Sequence, residues 1–202
     1  VEKSVRVLEK SLDLHPDDPE SYVNLAAAYF SAGDRKEAII LLNEALQKDP
    51  GNMEAYDNLS RAYSLLRMHS EALDLHKMII KRDPSNIDAR NNLGRTYMAL
   101  SELGKAEKEF LEAIRIDPRD SEAYNSLGMV YGSAGQMDKA MELFEKAIEI
   151  DPGNAAIYNN LAIAKYNMGL NDEAISLYKK ALELDPDMTE SYNNLKMLYS
   201  SL

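Results

Sequence analysis

A proline recurs along the sequence at a fixed interval of 34 residues, without a single insertion or deletion. Six of the seven prolines follow this interval: Pro16, Pro50, Pro84, Pro118, Pro152 and Pro186. A fixed period of about 20 to 50 residues is typical of arrays in which each small repeat buries its apolar face against its neighbours. The 202 residues are therefore predicted to form a stack of repeats rather than one or two compact domains.

Other residue types follow the same period. When the proline is numbered position 32 of its repeat, ten of the 12 tyrosines fall at positions 4 and 11, and position 7 is always leucine. Position 20 is alanine in all five complete repeats, and position 27 is alanine in four. Positions 4, 7, 8 and 11, and again 20, 24 and 27, have the spacing of one helix face. Each repeat is therefore predicted to contain two amphipathic helices, the second of which ends at the proline.

Together these positions resemble the tetratricopeptide repeat (TPR) family over the whole chain: the period, the aromatic residue at 4, Leu-Gly or Leu-Ala at 7 and 8, Tyr at 11, the two alanines and the proline. The resemblance implies an all-α fold, a right-handed superhelical solenoid of antiparallel helix pairs. It also implies that the first helix of each repeat lines the concave wall. Pentatricopeptide arrays, which are usually basic, and Sel1-like repeats, which usually vary in length, fit less well.

The period also predicts the organisation of the chain, a single TPR solenoid over residues 1–202. A half repeat supplying a second helix comes first (1–18), and a half repeat supplying a first helix comes last (189–202). Five complete repeats are expected between them: 19–52, 53–86, 87–120, 121–154 and 155–188. Lys196 replaces a small residue in the last half repeat, which leaves two interpretations of that helix open, a solubilising cap and a truncated repeat.

Charge and composition exclude several classes of partner. There are 34 acidic and 23 basic residues, and the resulting net charge of −11 has the wrong sign for binding nucleic acid or an anionic membrane surface. No apolar run approaches the roughly 20 residues that span a bilayer, so no membrane insertion is expected. A cytoplasmic location is the expectation.

The sequence offers little material for catalysis. It contains no cysteine, which excludes thiolate nucleophiles and thiolate metal sites. The three histidines are isolated: His15 and His69 fall in turns, and His76 occupies position 24, where the other repeats have core residues. Motifs of metalloproteases, serine hydrolases and nucleotide-binding loops are missing. The chain is therefore not expected to be an enzyme, and no catalytic residue, metal or cofactor is predicted.

Asparagine dominates one position of the first helix. Position 6 is asparagine in five of six repeats, which we call the asparagine row: Asn24, Asn58, Asn92, Asn160 and Asn194. Asparagine is a mediocre helix former, so another property favours it there. Its amide offers a donor and an acceptor, as a peptide group does. If the first helices lie about 10 Å apart, an extended strand rising about 3.3 Å per residue meets one such amide at about every third residue.

The asparagine row resembles the rows in the superhelix of O-linked N-acetylglucosamine transferases, which hold substrate peptides through the main chain. The resemblance implies peptide binding by these five residues and includes no transferase domain. An alternative interpretation stays open, in which the asparagines are inherited with the duplicated repeat and bond neighbouring helices or water. The carboxylate clamp of chaperone-binding repeats does not fit, because position 2 is acidic in five of six repeats.

Further candidates lie at neighbouring positions of the first helix, where 2, 5, 6, 9, 12 and 13 are predicted to face the groove. Arg61 and Arg95 at position 9, together with Arg90, form a predicted basic patch. This patch either receives an acidic group or pairs with the acidic residues at position 2, and internal pairing is favoured. Phe30, Met129 and Tyr166 add apolar contacts, as do others; the Tyr166 aromatic comes one residue later than position 11. Position 5 carries four further asparagines: Asn91, Asn125, Asn159 and Asn193.

These observations predict a protein–protein interaction scaffold that binds an extended peptide or partner segment in the concave groove. One alternative is the substrate-recruiting TPR arm of a larger enzyme such as a glycosyltransferase. Another is a self-assembling TPR adaptor, in which end-to-end self-association covers the apolar faces of the two half repeats.

Overall fold

The computed structural model describes residues 2–201, and the regular structure in that range consists of twelve helices without a strand. The helices are α1 (Glu2–Leu14), α2 (Pro19–Ala32), α3 (Arg35–Lys48), α4 (Met53–Leu66), α5 (His69–Arg82), α6 (Ile87–Ala99), α7 (Leu103–Ile116), α8 (Ser121–Ser133), α9 (Met137–Ile150), α10 (Ala155–Asn167), α11 (Asn171–Leu184) and α12 (Thr189–Ser201).

Consecutive helices are joined by short turns and pack as antiparallel pairs, such as α2 with α3 and α10 with α11. The first helices of successive pairs begin 34 residues apart. The predicted all-α fold class, with antiparallel helix pairs at a 34-residue period, is confirmed. No helix among residues 2–201 is both long enough and apolar enough to cross a membrane.

Local sequence signals set the helix ends. The side chain at position 34 accepts backbone N–H groups at the start of the next first helix, in the following residues: Asp18, Asn52, Asn86, Asp120 and Asn154. The turn after the first helix requires a left-handed backbone at position 15. This position is glycine in three repeats, whereas Arg67 (φ 54°) and Ser101 (φ 60°) adopt the left-handed conformation although they carry a side chain.

The chain divides into two compact bodies, Val1–Pro84 and Ser85–Leu202, which we call the N-terminal and C-terminal bodies. Within each body the alanines of position 20 are buried where two helices approach closely: Ala38, Ala72, Ala106, Ala140 and Ala174. His76 is confirmed as a core residue, because it is 0% exposed and its Nε2 lies 3.5 Å from Oγ of Ser60.

The prediction that position 5 faces the groove is wrong for two of its asparagines. Asn91 and Asn159 are each only 2% exposed, and Asn125 is half-buried. The reason is that a first helix packs against the next first helix as well as against its own partner, as α6 does with α8 and α8 with α10. Asn91 and Asn159 therefore lie inside this second interface, whereas Asn193, in α12, is exposed.

Candidate peptide-binding face

A cleft lies between two first helices of the N-terminal body. Its volume is about 150 Å³, and its lining comes from α2, α3 and α4: Ala26, Ala27, Phe30, Ser31, Leu42, Asn58 and Arg61. We call it the first cleft. Phe30, Asn58 and Arg61 were predicted to face the groove, and Leu42, on the second helix, forms part of the lining between them.

The C-terminal body contains an equivalent cleft between α8 and α10, which we call the second cleft. It encloses about 250 Å³ and is lined by Met129, Gly132, Ser133, Met137, Phe144, Asn160, Ile163, Ala164 and Asn167. Six of the seven lining positions of the first cleft recur here three repeats later. The chemistry differs, since Ile163 stands at the position of Arg61 and Gly132 at that of Phe30. The repeat thus builds the same cleft twice, once with a cation and once without.

Two members of the asparagine row are used to join neighbouring first helices. Nδ2 of Asn160 donates to Oδ1 of Asn125 at 2.9 Å. Nδ2 of Asn194 lies 3.5 Å from Oδ1 of Asn159, which also accepts from Oγ of Ser191 at 2.9 Å. In both cases a position-6 amide bonds the position-5 amide of the preceding repeat. For these two asparagines the structure supports the interpretation that they bond neighbouring helices.

Asn92 is engaged in a different way. Its Oδ1 accepts from Arg95 one turn later, and Arg95 forms an ion pair with Glu122 at position 2 of the next repeat. The favoured internal pairing is therefore present for Arg95. Burial lowers the pKa of the Arg95 guanidinium, while the carboxylates of Asp88 and Asp120 act in the opposite direction.

Arg90 also has a carboxylate partner within the C-terminal body. Its Nη1 lies 3.1 Å from Oε2 of Glu109 on α7, and both side chains are largely buried. Arg90 and Arg95 therefore each hold an internal ion pair, and neither is an open anion site on this body.

Asn58 and Arg61 form no such hydrogen bond or ion pair within the described residues. Among residues 2–201, no hydrogen bond engages the Asn58 amide and no carboxylate lies within ion-pair distance of Arg61. The reason for Asn58 lies in the preceding repeat, where position 5 is Val23, which offers no acceptor. The guanidinium carbon of Arg61 lies over the ring of Phe30, 6.0 Å from its centroid. The first cleft thus presents an amide and a cation to a ligand. Asn24 is exposed at the outer end of the row and likewise has no hydrogen bond within the described chain.

The remaining predicted site residues differ in their setting. Met129 lines the second cleft. Tyr166 is half-buried and packs against a core cluster formed by Ala162, Ala174, Tyr178 and Leu198. Lys165 takes the position of the missing aromatic residue and pairs with Glu173 at 2.9 Å, which raises the pKa of its ammonium group. Tyr166 thus contributes to the packing of its repeat, and its role in a groove stays a prediction.

Sequence reasoning missed part of the lining. Leu42 and Phe144, both at position 24, were assigned to the core, although each also borders a cleft. The contact of Phe30 with Arg61 joins position 12 of one repeat to position 9 of the next, a pairing that only a register between repeats could have indicated.

The part of the chain that the structure describes contains no group of three or more His, Cys, Asp or Glu residues able to hold a metal ion.

Comparison with protein families identifies the class. One tetratricopeptide repeat model matches residues 2–63 and 133–199, which is more than half of the chain, and a second matches residues 55–121 and 91–155. The chain therefore belongs to the tetratricopeptide repeat family.

Solved structures of TPR proteins resemble the chain along most of its length. TTC0263, a thermophilic TPR protein from Thermus thermophilus, has 25% identity and a TM-score of 0.76, covering 90% of this chain and 99% of that one. MamA has 31% identity and a TM-score of 0.67, covering 80% and 95%. YrrB, described as a TPR protein with an unusual peptide-binding site, has 24% identity and a TM-score of 0.63, covering 94% and 97%. The likeness to YrrB is one of fold alone.

The comparison with curated proteins returned no match. A fold made of TPR repeats, with TPR proteins as its structural neighbours, is typical of non-catalytic scaffolds that bind protein or peptide partners.

Proposed function

We propose that this protein is an interaction scaffold that binds an extended segment of a partner protein in the groove lined by its first helices, with the first cleft as the principal contact. The observation that carries the proposal is the contrast within the asparagine row. Asn92, Asn160 and Asn194 bond other residues of the chain, whereas Asn58 does not and lines a cleft.

The chemistry of the first cleft suits a peptide backbone. The Asn58 amide has its donor and its acceptor available, and a peptide group needs one of each. Phe30 and Leu42 provide an apolar surface for the methylene groups of the side chain that points inward. A buried donor or acceptor without a partner costs free energy, so a segment that satisfies both groups of Asn58 is preferred to one that satisfies neither.

The second cleft contributes in a narrower way. Because one N–H of Asn160 Nδ2 is donated to Asn125, a ligand can bond only the second N–H and Oδ1 of this amide. The walls are Met129, Met137 and Ile163, and methionine adapts to side chains of different shape. This cleft therefore favours an apolar side chain of the partner. Since a net hydrogen bond contributes about 0.5 to 1.5 kcal/mol and ordering the segment opposes binding, affinities are expected to be micromolar or weaker.

Selection from a randomised peptide library on the intact chain, followed by fluorescence anisotropy with the selected peptides, tests the proposal. Asn58→Ala is expected to weaken binding about 5- to 10-fold, as for a lost pair of hydrogen bonds, and to leave the free energy of unfolding nearly unchanged.

The matched control is Asn160→Ala, which removes the bond to Asn125. It is expected to lower the free energy of unfolding by about 1 kcal/mol and to affect binding less than Asn58→Ala. The proposal fails if no peptide binds above background, or if Asn58→Ala binds the selected peptides as tightly as the unmodified chain.

A further inference from the structure

We infer that the first cleft is a subsite for an acidic side chain of the partner segment, with Arg61 as the residue that recognises it. This inference rests on the proposed function and adds the chemistry of the partner. It follows from three features of the N-terminal body: the lack of a carboxylate partner for Arg61, the contact of Arg61 with Phe30, and the size of the cleft.

Arg61 differs from the other arginines of the predicted basic patch. Arg90 is paired with Glu109, and Arg95 with Glu122. No carboxylate within the described residues is within 4.0 Å of the guanidinium of Arg61. The chain has a net charge of −11, yet the guanidinium of Arg61, on the predicted binding face, has no ion pair within the described residues. It is therefore available to bind a carboxylate of the partner.

Phe30 contacts this cation in the cleft. The guanidinium carbon of Arg61 lies over the Phe30 ring, 6.0 Å from its centroid, which is the distance of a cation–π contact. The guanidinium of Arg61 has N–H groups that can form two parallel bonds to a carboxylate. Asn58 precedes Arg61 by three residues on α4, so both side chains lie on one helix face, and its amide can donate a further bond.

The size of the cleft fits one side chain. Small-molecule sites usually enclose about 300 to 1,000 Å³, whereas the first cleft encloses about 150 Å³. Recognition of phosphorylated peptides usually employs a cluster of arginines, and this cleft has one. We therefore assign it to the carboxylate of an aspartate or glutamate. The second cleft has Ile163 in place of Arg61, so the acidic preference belongs to the first cleft alone.

The test uses the same library selection on three forms of the intact chain: the unmodified protein, Arg61→Gln, and Arg115→Gln. Arg115 is an exposed arginine on α7, the second helix of its repeat, where it pairs with Glu112. Its replacement controls for the loss of one positive charge. Asp or Glu is expected at one fixed position of the peptides selected by the unmodified protein and by Arg115→Gln. The enrichment is expected to disappear with Arg61→Gln.

A double-mutant cycle then locates the contact. Replacing the selected acidic residue of the peptide by its amide is expected to weaken binding about tenfold to the unmodified protein and less than twofold to Arg61→Gln. Arg61→Glu is expected to select lysine at the same position. Thermal unfolding of each variant separates a loss of binding from a loss of folding.

Each outcome has a distinct meaning. If peptides bind through Asn58 but show no acidic position, or if Arg61→Gln retains the acidic preference, the inference is wrong while the proposed function stands. If phosphoserine in place of the acidic residue binds more than tenfold tighter, the subsite is for phosphate and the inference is wrong. If no peptide binds at all, the proposed function and the inference fall together.

Discussion

At the scale of single residues, positions 8 and 24 of a repeat are fitted to each other. A β-carbon added to Gly94 would lie 2.7 Å from the ring of Phe110, and one added to Gly128 would lie 2.6 Å from the ring of Phe144. In each pair the missing side chain of glycine makes room for the aromatic ring, which is almost fully buried. This complementarity explains why glycine is retained inside two helices, where it costs conformational entropy.

Two glycines of α8 allow this explanation to be tested with one type of change. Gly128→Ala is expected to lower the free energy of unfolding by about 1 to 3 kcal/mol, because the buried ring of Phe144 cannot move away easily. Gly132→Ala is expected to raise it by about 0.5 to 1 kcal/mol, because its nearest neighbour, Cβ of Ala140, would be at an ordinary contact distance of 3.9 Å. Urea unfolding measures both. Equal effects of the two changes would show that close packing against Phe144 is not the constraint.

At the scale of helices, the amides of positions 5 and 6 join successive first helices of the C-terminal body. Asn125 accepts from Asn160, and Asn159 accepts from Asn194. The contact between α6 and α8 breaks this pattern, because Ser126 replaces asparagine at position 6. There Nδ2 of Asn91 donates to Asp120 at 2.7 Å, while Oδ1 of Asn91 is buried without a hydrogen-bond partner among the described residues. The one exception in the asparagine row thus coincides with an unsatisfied acceptor.

Ser126→Asn should restore the missing bond. The new amide would donate to Oδ1 of Asn91 as Asn160 does to Asn125, and a buried acceptor that gains a donor is expected to raise the free energy of unfolding by about 1 kcal/mol. Ser126→Ala is the control, since it adds no donor and is expected to change stability little. Chemical denaturation of both variants gives the comparison. A loss of stability with Ser126→Asn would mean that this buried position, 4% exposed, has no room for the larger side chain.

At the scale of the whole molecule, periodicity predicts the fold far better than the site. Every repeat carries Leu at position 7 and every second helix ends before a proline, so each helix can be assigned without its neighbours. In contrast, the hydrogen bonds of a side-chain amide at position 6 depend on which residue the preceding repeat has at position 5. Val23 offers no acceptor, so the side chain of Asn58 forms no hydrogen bond within the described residues, whereas Asn160 donates a hydrogen bond to Asn125. Identical residues at position 6 therefore have different roles, which a pattern within one repeat cannot reveal.

The stability of the folded chain is expected to decrease above pH 10, partly because of Tyr178. Burial raises the pKa of its phenol to about 12, with Glu190 and Tyr166 acting in the same direction. The pKa of a tyrosine in an unfolded chain is about 10. The raised folded-state pKa therefore contributes stability that is complete below about pH 10 and is lost as the pH rises towards about 12. One pKa unit corresponds to about 1.4 kcal/mol, so this contribution is on the order of 1 to 3 kcal/mol.

Tyr178→Phe is the variant that isolates this effect, because Phe110 and Phe144 occupy the same position in other repeats. Phenylalanine does not ionise, so the variant should lose less stability than the unmodified chain between pH 9 and pH 12, with both measured by urea unfolding at fixed ionic strength. Lysines with raised pKa values, such as Lys165, contribute a decrease that both proteins share. Parallel stability curves for the two proteins would show that Tyr178 ionises as readily in the folded chain as in the unfolded one.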